Sequence, residues 1–238
     1  MSLGATIIVF VPGLALGSML NTVASSINQG RARLRLRAVC PQCGHVASLL
    51  ESIALFAYLL RGGKCARCGA HRGLRYPILE VATGFLFVAC FTRFGFTGRG
   101  FVAAMFCAVL LVLAAIDVER HILPNAIVVP AGAAILLADI VVAPGRALEW
   151  VVAAVFAAGL LLALALAWRG SLGMGDVKLA FLLGAGLGAS VILALVLGFV
   201  AAFVAAAVVI ASRGIDARKE TIPIGPFLAL GAIVALLI

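Results

Sequence analysis

Phe101-Val-Ala-Ala-Met-Phe-Cys-Ala-Val-Leu-Leu-Val-Leu-Ala-Ala-Ile116 runs for sixteen residues without a strongly polar side chain and then meets Asp117. A helix needs about 20 mostly apolar residues to span a bilayer, fewer where its ends snorkel. The rest of the chain reads alike. Spans are expected at roughly 3–27, 77–94, 101–117, 126–143, 149–168, 177–189, 190–212 and 226–238. One long kinked helix over 177–212 is the alternative for the sixth and seventh. The first is not a cleavable signal peptide, because no basic residue precedes its apolar run and the run continues to about residue 27. Composition agrees: 65% of the 238 residues are hydrophobic and 11% charged, against about half and a quarter in soluble domains. A soluble fold of this size has too much surface to hide so much apolar material, and a disordered chain has too little of it. The expected fold is all-α, a polytopic membrane helix bundle of about eight transmembrane helices.

The net charge of +9 would suggest nucleic acid in a soluble protein. In a membrane protein it marks the loops that set topology, and no nucleic-acid partner is expected. With the N-terminus outside, the inner loops 28–76, 118–125, 169–178 and 213–225, with their flanks, hold fifteen of the eighteen Lys and Arg. Only Arg93, Arg99 and Arg146 remain outside. The lipid bilayer is the first partner.

One hydrophilic stretch, 28–76, is long enough to fold by itself, and at under 50 residues it needs a staple. Cys40-Pro-Gln-Cys43 and Cys65-Ala-Arg-Cys68 supply four thiols, each pair followed by a glycine, Gly44 or Gly69, that permits the tight turn of a chelating knuckle. Four thiolates suit a closed, structural Zn2+ site. Two disulfides are the competing reading, disfavoured if the loop is cytoplasmic. His45 and His71 are expected as solvated loop residues, and Cys90 and Cys107 as small packing residues within spans. Segment 49–60 is a short apolar helix candidate for the membrane surface or the knuckles. The chain thus divides into a first transmembrane helix (1–27), a cytoplasmic zinc-binding loop domain (28–76) and a membrane-embedded domain (77–238).

Only nine acids occur. Asp216 and Glu220 read as solvated, Glu51 and Glu149 as helix-start acids favoured by the helix dipole, and Asp139 as reaching the headgroups. Asp117 and Asp176 differ. They stand 59 residues apart, yet the topology brings both to one membrane face, and an acid at the hydrocarbon edge usually faces a polar interior. Asp176 lies in Gly173-Met-Gly-Asp-Val-Lys178. Gly173 and Gly175 would let the backbone unwind before the acid and let a substrate approach. Lys178 would snorkel or help keep one Asp ionised. Gly184 and Gly188 read as a helix-packing face. No P-loop, G-x-S-x-G or H-E-x-x-H is present. A small proton- or cation-coupled transporter using Asp117 and Asp176 is the alternative from another class.

In combination these residues resemble the type IV prepilin peptidases, membrane-embedded aspartic proteases of the GxGD type. Gly17-Ser-Met-Leu-Asn21 looks like the family's N-terminal motif, Cys40 to Cys43 with Leu59 to Cys68 like its zinc-binding loop, and Arg75 to Glu80 like its entry to the second span. Asp117 with Ile122-Leu-Pro124 resembles the first catalytic site, Gly173-Met-Gly-Asp-Val-Lys-Leu179 the second, and Ile222-Pro-Ile-Gly-Pro-Phe-Leu-Ala229 the C-terminal motif. The resemblance implies a bacterial inner-membrane endopeptidase that cleaves the basic leader of prepilins or pseudopilins at the cytoplasmic face. It also implies S-adenosylmethionine where the new N-terminus is methylated, with no cofactor-binding residue evident. Two close carboxylates share a proton near neutral pH, so one activates water and the other polarises the scissile carbonyl. Glu80 would orient this network, serve methylation, or sit as a simple helix-start acid. Arg31 to Arg37 would lie along the anionic inner leaflet. The acidic partners of a basic leader would then be Glu51, Glu80 or Glu119.

Overall fold

The computed structural model describes residues 3–28, 40, 42–46, 58, 62–71, 73–167, 173–213 and 223–238. Among them no strand is formed, and the named helices are α1 (Leu3–Asn28), α2 (Arg75–Phe94), α3 (Gly98–Arg120), α4 (Asn125–Val142), α5 (Ala147–Ala167), α6 (Met174–Leu187), α7 (Val191–Arg213) and α8 (Gly225–Leu237). Two 3-10 turns, Pro144–Arg146 and Gly188–Ser190, precede α5 and α7. The all-α expectation holds, and the helices follow the apolar runs closely. Among the described residues six stretches are long and apolar enough to cross a membrane. One of them, Met174–Arg213, takes in both α6 and α7, and the 13-residue α8 falls short. Of segment 49–60 only Tyr58 is described, and Arg31 to Arg37, Glu51, Asp216 and Glu220 lie outside the described residues.

Contacts divide the chain into two units, Met1–Val112 and Leu113–Ile238, with the boundary inside α3. In the first, α1 packs on α2. A Cβ on Gly13 would stand 2.9 Å from Gly84 Cα, and one on Gly17 2.8 Å from Thr83 Oγ1. Small residues at such a seam let two backbones approach where lipid offers no hydrophobic drive to associate. Cys90 and Cys107 are fully buried, as small packing residues would be, and their sulfurs also meet at 3.7 Å. Phe91 meets Phe101 edge to face, ring centres 4.8 Å apart, an arrangement aromatic quadrupoles favour.

In the second unit α6 is the axis. It packs against α4, α5 and α8, while α7 packs on α8. Nine of its fourteen residues are buried, including Leu179, Leu182 and Leu183, whereas α5 and α7 turn large apolar side chains such as Leu148 and Phe203 outward. A helix apolar on all sides needs such a place, surrounded by protein or lipid. Gly184 presses on the backbone of Ala153 and Ala154, so half of the expected glycine face exists. Gly188 is not part of it. Its φ of +57° ends α6 in the left-handed conformation that favours glycine. A Cβ there would stand 2.8 Å from the Trp150 ring. The same residue interrupts the α-helix within 177–212, although Met174–Arg213 remains one apolar stretch.

Asp139 is likewise corrected. It does not reach out to headgroups but is 1% exposed within α4, near enough to Arg146 for the two charges to interact. Arg146 forks onto Glu149 with bonds of 2.8 and 2.7 Å and lies 5.0 Å over the Trp150 ring. Glu149 stands in the first turn of α5, as its sequence position implied. It also accepts the Ala189 N–H at 3.3 Å, tying the α6–α7 break to α5.

Candidate functional site

Two sites emerge, one in each unit. In the first, the ligand atoms of Cys40, Cys43, Cys65 and Cys68 all lie within 4.8 Å of one another. Cys40 and Cys68 Sγ are 3.6 Å apart, Cys43 and Cys65 Sγ 3.8 Å. A tetrahedron with Zn–S bonds of about 2.3 Å has sulfurs about 3.8 Å apart, so the residues fit a zinc ion. Both knuckles are built by the same turn. Cys40 N–H donates to His45 O and Cys65 N–H to Ala70 O, each at 2.9 Å, while Gly44 and Gly69 N–H return to the first cysteine's carbonyl at 3.0 Å. Gly44 and Gly69 take φ of +67° and +71°, which is why a glycine follows each pair. All four cysteines are free rather than disulfide-bonded, and neither His45 nor His71 joins the group. The Arg67 N–H, followed by that of Cys68, draws the Cys65 thiol down to about 6. At Cys68 the Ala70 N–H pulls the same way, but desolvation and the neighbouring sulfurs outweigh it and push that thiol up to about 12. Four sulfurs this close do not all ionise without a cation among them.

Glu80 lies in the same unit. It is not a helix-start acid: α2 begins at Arg75 with no acid in its first turn, and Glu80 is 1% exposed. Buried Ser18, Asn21, Thr22 and Thr83 accompany it on α1 and α2, and α1 packs so close that a Cβ added to Gly17 would stand 3.2 Å from Glu80 Cα. So buried, Glu80 offers no surface to a basic leader. Glu119, at the end of α3, is exposed.

The second unit holds the aspartates. Asp117 sits in the last turn of α3, 6% exposed, and Asp176 in the first turn of α6. Asp117 lies near enough for its charge to act on Asp176. Each places one carboxylate oxygen on a backbone N–H. Asp176 Oδ2 accepts from Gly173 at 3.1 Å, and its own N–H returns to Gly173 O at 3.0 Å. This reciprocal cap starts α6 at Met174, three residues earlier than expected. Gly173 is the extended cap residue, but Gly175 is already helical. Its missing Cβ is a packing feature, since one there would meet Leu123 Cβ at 3.1 Å, so it does not unwind the chain.

Three residues near the aspartates escaped sequence reading. Gly225, at the start of α8, donates its N–H to Asp117 Oδ2 at 3.1 Å. Asn125, at the start of α4, accepts from Lys178 Nζ at 2.7 Å, so among the described residues Lys178 is held by an amide rather than by an Asp. His121 closes α3 with φ +55° and its N–H on Asp117 O at 2.8 Å. Only Gly225 carried a signal, as part of the Ile222 to Ala229 motif.

Comparison with known proteins extends the picture. Residues 11–94 match the family model described as the bacterial peptidase A24 N-terminal domain, and residues 104–211 match the type IV leader peptidase family. Three relatives bear the name prepilin leader peptidase/N-methyltransferase. One from Myxococcus xanthus is 40% identical over 124 residues, covering 52% of this chain and 37% of its own length. One from Burkholderia pseudomallei is 33% identical, covering 82% of this chain and 65% of its own length. One from Bacillus subtilis is 30% identical over 97% of this chain and 93% of its own. The chain thus spans less than two thirds of the first two relatives and nearly all of the third. No solved structure matches it. Asp117 and Asp176 both fall inside the second matched region, Glu80 inside the first, and across both regions the chain belongs to the type IV leader peptidase family.

Proposed function

We propose that this chain is a membrane-embedded aspartic endopeptidase that removes the basic leader of type IV prepilins or pseudopilins at the cytoplasmic face of the bacterial inner membrane. The observation that carries the reading is the Asp117–Asp176 pair: two carboxylates from different helices within reach of each other's charge, each already given one backbone N–H. Two carboxyls so placed hold one proton between them. The ionised one takes a proton from water as its oxygen attacks the scissile carbonyl carbon. The protonated one donates to the carbonyl oxygen. Collapse of the tetrahedral intermediate breaks the C–N bond and passes a proton to the leaving amine.

The inside-positive charge count supports a cytoplasmic site, and with it a crossing by both α6 and α7 and an inner position for loop 28–76. Zinc, held by Cys40, Cys43, Cys65 and Cys68, would act structurally, since four protein thiolates leave no open position. Methylation of the new N-terminus, the second activity in the relatives' names, would draw on S-adenosylmethionine. The transporter alternative accounts for two carboxylates near the membrane but not for the family or the four-thiol cluster. The test is cleavage of a prepilin-type substrate by wild type and by Asp117→Asn and Asp176→Asn, with product mass measured. Wild type is expected to release the leader and both variants to be inactive, while the mass also reads methylation. Cleavage surviving in both variants would remove the aspartate pair from the mechanism.

A further inference from the structure

The Ile222 to Ala229 motif has no part in the chemistry above, yet it delivers one backbone group to that chemistry. Gly225 is the first residue of α8 and is buried. Its N–H reaches Asp117 Oδ2 at 3.1 Å across 108 residues of sequence. A Cβ on Gly225 would stand 2.6 Å from the same oxygen and 3.1 Å from Asp117 Cγ. Contacts under 3.0 Å force something to move, and here the atoms in the way are a short, buried carboxylate rather than the end of a flexible chain. Any residue with a side chain would therefore displace the carboxylate from the hydrogen bond that orients it. Pro226 follows at once and fixes the chain entering the helix.

We propose that Gly225 is a positioning residue for the reaction: its bare backbone fixes which oxygen of Asp117 is occupied and leaves the other free for water or for the shared proton. The inference rests on the aspartic reading of Asp117 and Asp176. It concerns orientation within the pair, not the identity of the pair.

The experiment compares Gly225→Ala with Gly159→Ala, since Gly159 lies in α5 with nothing within 4 Å of an added Cβ. Both are assayed in detergent on a prepilin-type substrate for kcat and KM, with melting temperature and affinity for a hydroxyl-isostere peptide that mimics the tetrahedral intermediate. Misplacing a reacting group by about 1 Å costs on the order of 100-fold in rate. Gly225→Ala should lose about that in kcat and a similar factor in isostere affinity, with KM changed less than about threefold. Gly159→Ala should match wild type. Wild-type turnover by Gly225→Ala, or a raised KM at unchanged kcat, would overturn the proposal while leaving the Asp→Asn result standing. If Gly225→Ala does not fold, it is remade with Asp117→Ala, which removes the carboxylate the methyl would meet. Recovery of folding there supports the assignment, and failure in both backgrounds overturns it.

Discussion

Lys178 donates its ammonium to the side-chain oxygen of Asn125 at 2.7 Å, joining the helix that carries Asp176 to the first residue of α4. Beside it, Gly175 packs against Leu123. A hydrogen bond to a charged group is worth about 1.5–3 kcal/mol when shielded, and this one is exposed, so about 1 kcal/mol is the appropriate scale. Asn125→Leu should lower the cleavage rate about fivefold without unfolding the protein. Asn125→Asp keeps the acceptor oxygen and should stay within about twofold of wild type. Steady-state cleavage decides. Equal rates for Leu and Asp would show that the bond does not hold the pair.

The seam between α5 and α6 should be a sensitive packing site in the second unit. A Cβ on Gly184 would enter the backbone of Ala153 and Ala154, where no side chain can rotate away. Overpacking of this kind costs about 1–3 kcal/mol. Gly184→Ala should melt several degrees below wild type, and Gly184→Val should not accumulate in the membrane. An unchanged melting temperature for Gly184→Ala would mean that the two helices separate freely.

Removing the metal should act on the loop before it acts on the membrane helices. Protein purified without chelators should contain about one zinc per chain, read by elemental analysis, as four thiolates imply. Cys65→Ser should lose most of it. Small folds that depend on a metal open when it leaves, so trypsin should then cut at Arg67 or Arg72 faster than in wild type. Cuts at Arg93 or Arg99, where α2 ends and α3 begins, should not accelerate. Zinc-free wild-type protein with an equally resistant loop would exclude a structural metal.

Much of this fold could be read in advance because lipid leaves few choices. Runs such as Phe101–Ile116 have one stable fate, and α3 occupies that run. The knuckles were legible because thiol spacing and a following glycine together specify a turn. Asp117 and Asp176 stood out because acids are scarce. What stayed hidden involves backbone donors or buried surroundings. The Gly225 N–H is a group every residue but proline possesses, so residue type does not announce its bond to Asp117. Asp139 resembles any polar residue near a helix end until the fold buries it within reach of the Arg146 charge. Gly188 has the spacing of a packing glycine and differs only in its φ. The start of α6 was misplaced because Asp176 caps its own helix through Gly173, a bond that draws Met174 and Gly175 into the first turn.

The two ends of α6 carry a mechanical consequence. At one end Gly188 closes the helix while Glu149, clamped by Arg146, holds the Ala189 N–H. At the other, Lys178 and Gly175 bind it to Asn125 and Leu123. A beam fixed at both supports neither slides nor pivots. In the proposed mechanism Asp176 would then serve as a braced anvil, with the peptide and helices other than α6 making most of the approach.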